Sequence, residues 1–239
     1  MQFIDMAHDL DSSMDAWDGL YRLAYRGKLS KYFNFDALSD SGTSSSCKRY
    51  YAVIDKEKHP ELVASFGKFM IAGDCDFNFN ERKVALFQKV LEPDDFDALA
   101  ICSKHHHDFR NFTLMPINGA MNNAKGTMRC TGDFAALDRP DLFISELANF
   151  YDGRESKVFS RCTEKYLPGL LWYLGLFDGV YDYCSSIYLI DDNKLIDKLI
   201  ESGHEPLNCR ERVLSYMGLA CDYWEARSER LNSLGVVLS

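Results

Sequence analysis

An α+β fold, mainly helical, follows from three features of the chain. Its second half carries apolar residues at helical spacing almost throughout. Its first half holds short extended runs bounded by Gly, Asp and Ser. Its 239 residues, 46% apolar and rich in Tyr and Phe, are enough to build one sizeable core. We therefore expect a single domain over 1–239, with a mixed α/β part over 1–130 and a helical part over 131–239. A small strand–turn–helix unit is expected around 105–126. No internal repeat or low-complexity tract is visible.

The elements follow in order. A helix is expected from about Ser13 to Lys28, because Asp11, Ser12 and Ser13 suit an N-cap and Met14, Trp17, Leu20, Tyr21 and Ala24 recur at helical spacing. The stretch DALSDSGTSSSCKRY reads as a loop. Residues 49–54 and 66–72 read as extended, Gly73-Asp74 as a turn, and CDFNFN as a short half-buried strand because it alternates apolar and polar residues. Residues 81–92 and 94–103 read as helices separated by Pro93, which cannot continue the first.

In the helical part, Asp138 is expected to cap a helix with Pro140 and Asp141 in its first turn. Ile144, Leu147, Ala148 and Tyr151 form its buried stripe, and Asp152-Gly153 closes it. Arg139 and Asp141 read as a surface ion pair of little energetic consequence. Pro168-Gly169, Asp178-Gly179 and Gly203 punctuate the helices that follow. The last helix, about Cys209 to Leu234, turns Val213, Met217, Ala220, Trp224 and Leu231 inward and Arg227 and Arg230 outward. Asp178, Asp182, Asp191 and Asp192 do not fit an EF-hand loop and read as caps.

Charge and cysteine usage narrow the function classes. The formal charge is −9 and no Lys/Arg run occurs, which disfavours extensive nucleic-acid duplex binding while leaving room for a local basic cleft. Eight cysteines are spread almost evenly with no CxxC, and the N-terminus lacks the pattern of a signal peptide, so reduced cysteines in a cytoplasmic protein are expected. The segment GLLWYLGLFDGVYDYCSSIYLI is interrupted by Asp178 and Asp182 and reads as core helices, not a membrane span. GxSxG, HExxH, the Gly-rich phosphate loop and the dinucleotide fingerprint are all missing from the sequence.

Chemistry-bearing residues converge at short range in one stretch, HHHDFRNFTLMPINGAMNNAKG, residues 105–126. Imidazole binds metals and accepts protons near neutral pH. If the stretch is extended, His105 and His107 share a face and His106 turns away. Asp108 or Asn111 is placed to orient one ring through its other nitrogen. A zinc site would add Cys102, at C-x-x-H spacing to His105, and Cys130; that is half of the usual pattern. A surface turn with solvated histidines fits the same residues. Beyond it, Asn111-Phe-Thr-Leu-Met reads as a strand ending at Pro116, then a turn at Asn118-Gly119 and a brief helix carrying Met121, Asn122 and Lys125.

This strand, turn and helix resemble the later half of the ββα-metal motif of the HNH nuclease superfamily. The resemblance implies that Asn111 braces the active-site loop, that Asn122 or Asn123 is a metal ligand on the helix, and that Lys125-Gly126 is the trailing pair. It implies a divalent ion (Mg, Mn or Zn) acting on a phosphodiester, with His105 or His107 as general base and His105 also a candidate ligand. The preceding strand lacks the superfamily's Asp-His or Glu-His step, and His105 to His107 lie only four to six residues before Asn111. Joint action through one metal requires His105 or His107 within about 7 Å of the Asn122 side chain. The helical half, RPDLFISELANFYDG through FDGVYDY, is similar to a family of uncharacterised bacterial proteins. Arg139, Asp141, Leu142, Tyr151, Gly153, Phe177, Gly179, Val180, Tyr181 and Asp182 hold corresponding places, whereas Pro140 stands where that family tends to have Phe. That resemblance carries no activity, so a non-catalytic binding protein stands beside the nuclease expectation.

Overall fold

The computed structural model describes residues 2–4, 24–25, 27–35, 51–67, 69–117, 139–156 and 164–238. The architecture is α+β and mainly helical, as expected. Four antiparallel strands form one sheet in chain order: β2 (Phe33–Asn34), β3 (Tyr51–Ile54), β4 (Met70–Cys75) and β5 (Phe112–Ile117). A separate parallel pair joins β1 (Gln2–Ile4) to β6 (Val236–Leu238), with Gln2 opposite Val236. One hydrophobic core runs from the sheet through the helices of the second half.

The sheet corrects three local expectations. Gly73 and Asp74 are paired strand residues, opposite Leu114 and Thr113, because the β4–β5 ladder continues to Cys75–Phe112 and overrides their turn preference. Residues 66–72 are not one strand: Phe66 ends a helix, α1 (Pro60–Phe66), stopped by Gly67 at φ +65°. CDFNFN is not a half-buried strand either. After Cys75 the backbone is irregular, and Asp76, Phe77, Asn78 and Phe79 are all buried. The alternation misleads because its polar members are hydrogen-bonded inside: Asp76 accepts from Thr113 Oγ1 at 2.6 Å and Tyr223 Oη at 2.5 Å.

Asn80 then caps α2 (Glu81–Phe87), its side chain accepting from Lys83 N at 3.0 Å. Residues 88–91 continue as tight turns, so this helix is shorter than expected. A 3-10 turn at Pro93–Asp95 leads into α3 (Phe96–Lys104), which delivers the three histidines. The expected helix over 13–28 lies outside the described residues except near its end, where Ala24 is helical, Gly27 and Lys28 form a turn, and Leu29–Lys31 form a 3-10 turn. The loop over 36–50, the turn at Asn118-Gly119, the brief helix after it and the Asp138 cap also lie outside.

Five further helices follow among the described residues. In α4 (Pro140–Tyr151) nearly every position in the first two turns is buried, and Arg139 occupies the N-cap position. The Arg139–Asp141 pair is interior, not surface: its side chains are 4% and 0% exposed, and Arg139 also donates to the carbonyls of Ser202 and Glu205. It therefore locks α4 to the end of α7 (Asn193–Ser202). Pro168 and Gly169 do not break a helix but open α5 (Leu167–Leu174), proline being suited to a first turn. Gly179 does mark a break, preceding α6 (Val180–Tyr183) and a π-helical turn at Cys184–Tyr188. The last helix, α8 (Arg210–Ser233), buries Val213, Met217, Ala220, Trp224 and Leu231 as expected.

Arg227 departs from expectation. It is fully buried, and its guanidinium donates to the carbonyls of Tyr188 and Phe112, tying α8 to the π-turn and to the start of β5. Arg230 is partly exposed and pairs with Asp191 at 3.2 Å. No helix among the described residues is long and apolar enough to cross a membrane.

Candidate functional site

The three histidines do not form an extended segment. They follow α3 as turns, with His105 at its C-cap, and a 3-10 turn at Phe109–Asn111 carries the chain into β5. The strand geometry that would have put His105 and His107 on one face is therefore replaced by a winding turn that separates their surroundings. His106 is buried beneath the 77–79 segment, with Nδ1 3.4 Å from both Phe77 O and Phe79 N. His107 is exposed, its ring 4.4 Å from that of His106 and 6.3 Å from that of Phe112.

His105 is held from two sides. Its Nδ1 lies 2.8 Å from Asp108 Oδ2, and its ring centroid is 5.0 Å from that of Trp224 on α8. Asp108 is itself buried and bound by Arg110, through Nε at 3.1 Å and Nη2 at 2.6 Å. Burial would raise the Asp108 carboxyl, but hydrogen bonds from His105 and Arg110 outweigh it and hold the group below the usual carboxylate range. Arg110 Nη2 also comes within 3.0 Å of His105 Nδ1. One nitrogen cannot both donate to Asp108 and accept from Arg110. The closer contact to an ionised carboxylate assigns a proton to Nδ1, so that the neutral form of the ring carries its lone pair on Nε2, on a side chain 29% exposed.

Asn111 is fully buried and uses every hydrogen-bonding position of its amide. Its Oδ1 accepts from Phe77 N at 2.9 Å and Trp224 Nε1 at 3.0 Å. Its Nδ2 donates to Phe77 O and His106 O, both at 2.8 Å. One side chain thus ties together the 77–79 segment, the histidine turn and α8. It also fixes the indole that packs on His105.

The sequence had no local signal for this. Trp224 reads as a core residue at helical spacing, and its partners lie more than a hundred positions earlier in the chain.

The expected helix ligands Asn122 and Asn123 lie outside the described residues, and so does Cys130. Among the described residues no group of three or more His, Cys, Asp or Glu side chains converges as a metal site. Cys102 is buried and has Cys221 on α8 as a neighbour, which the C-x-x-H reading did not include. His105 has the arrangement of a metal-binding or basic imidazole, one nitrogen fixed by a carboxylate on a partly exposed side chain. Comparison with protein-family models, with curated proteins and with solved structures finds no match to this chain.

Proposed function

We propose that the protein is a divalent-metal-dependent phosphodiesterase of nuclease type, built on a degenerate ββα-metal site. The observation that carries this reading is the His105–Asp108 pair: a buried carboxylate fixes Nδ1–H and leaves Nε2 to take a proton or meet a metal. Asn111 supports it from behind as the brace that holds the histidine turn against the 77–79 segment. Asn122 and Asn123, on the segment after β5, would supply oxygen donors beside His105. A bound Mg, Mn or Zn ion supplies charge stabilisation at the leaving oxygen of a phosphodiester. His105, or His107 exposed on the same turn, accepts the proton of the attacking water. The even spread of eight cysteines with no CxxC suits a reducing cytoplasm.

A second reading rests on the net charge of −9 and on the closed His105–Asp108–Arg110 network. In it the same polar turn recognises a protein or small ligand without catalysis. Calorimetry with Mn²⁺, Mg²⁺ and Zn²⁺, followed by cleavage assays on DNA and RNA, separates the two. The nuclease reading expects stoichiometric metal binding and cleavage, both lost in a His105→Ala/His107→Ala variant and weakened in Asn122→Ala. Wild-type protein that binds no metal and cleaves nothing ends that reading and leaves the binding one.

A further inference from the structure

Cys102 and Cys221 sit on two packed helices, α3 and α8, whose starts are tied by the Asp95–Arg210 ion pair at 2.7 Å. Both are free. Cys102 is 2% exposed, whereas Cys221 is open to solvent. The pair has a definite place in the fold. Three residues beyond Cys102 comes His105, and three beyond Cys221 comes Trp224, whose ring is 5.0 Å from that of His105. Residues three apart share a helix face about 4.5 Å along the axis. From the Asp95–Arg210 pair to the His105–Trp224 ring contact the two helices run in the same direction, which brings Cys102 and Cys221 to the same level one turn before that ring contact.

We propose that Cys102 and Cys221 are a modification site at which a hydroperoxide installs a reversible disulfide between α3 and α8, one turn before His105. The chemistry divides between the two sulfurs by exposure. The Cys221 thiolate attacks the hydroperoxide ROOH, the O–O bond breaks, and Cys221 sulfenic acid and ROH result. The Cys102 sulfur then attacks the Cys221 sulfur; the S–S bond forms, the S–OH bond breaks, and the hydroxyl leaves with the Cys102 proton as water. Overall, two thiols and ROOH give a disulfide, ROH and water, with two electrons passing from sulfur to peroxide. Burial, and then the neighbouring Cys221 thiol, push the Cys102 thiol up to about 12, so Cys102 is a poor first nucleophile and suits the second step, where its target is the neighbouring sulfur. The remaining described cysteines are placed differently: Cys75 and Cys184 are buried and Cys209 is half-buried.

The site stands whether or not His105 is catalytic, and its test reads mass rather than activity. The full chain is treated with hydrogen peroxide at a few equivalents, alkylated, digested without reductant and mapped by mass spectrometry. The expected product is one cross-linked peptide pair joining Cys102 to Cys221, two hydrogens lighter than the separate peptides and released by dithiothreitol. Cys221→Ser, at an exposed position, removes the cross-link without disturbing the core, and Cys102→Ala leaves a trappable sulfenic acid at Cys221. Unmodified protein, a sulfinic Cys221 beside a free Cys102, or a cross-link from Cys221 to another cysteine would each overturn the proposal.

Discussion

Asn111 shows how much a single amide can carry. Replacing it with Ala strands the backbone groups of Phe77 and His106 and the indole N–H of Trp224, all buried, so Asn111→Ala is expected to cost about 3–5 kcal/mol in urea unfolding. Asn111→Asp should be nearly as damaging, since an oxygen would then face two carbonyls. A loss under 1 kcal/mol in either variant would contradict this account of the turn. Asp108 gives a pH prediction. Its carboxyl titrates lower in the folded chain than in the unfolded one, so its contribution is fully present above about pH 4 and is lost as pH falls through the folded value. Melting temperature followed from pH 7 to pH 2 should fall less steeply in Asp108→Asn than in wild type. The type of these residues was legible in the sequence: an imidazole beside a carboxylate and an Asn at a strand start. Their partners were not, because Trp224 reaches Asn111 across 113 positions. Arg227 failed for a different reason. Its spacing from Trp224 and Leu231 continues the buried stripe of α8, yet a lone Arg is so seldom fully buried that charge outweighed periodicity.

At the scale of elements, the long helices α4 and α8 were read well, α1 was missed, and strand limits were read poorly. The stripes of α4 and α8 repeat over three or more turns, whereas β4 is settled by its ladder to β5, which no local pattern near Gly73-Asp74 announces. Two glycines separate close packing from mere chain flexibility. A Cβ at Gly203 would lie 2.5 Å from the backbone oxygen of Asp141, where α7 ends against α4. Gly218, exposed within α8, has nothing within 4 Å. Gly203→Ala should therefore destabilise by roughly 2–3 kcal/mol, because backbone cannot yield as a side chain does. Gly218→Ala should stabilise by about 0.5–1 kcal/mol by raising helix propensity. Guanidinium unfolding of the two variants side by side should give shifts of opposite sign; shifts of the same sign would refute the packing assigned to the α4–α7 contact.

Across the whole molecule, the chain closes on itself through β1 and β6. Deleting residues 236–239 should lower stability by about 1–2 kcal/mol, through the lost ladder bonds, and should speed amide exchange at residues 2–4. Unchanged exchange there would mean that β1 is held by something other than its partner strand. The parallel register has a consequence for biosynthesis. Residues 2–4 pair with residues 236–238, so β1 has no partner until more than two hundred further residues have been made. At translation rates of about 5–20 residues per second, it waits roughly ten to fifty seconds in the nascent chain. Until β6 is made, the edge of β1 is open to whatever strand meets it first.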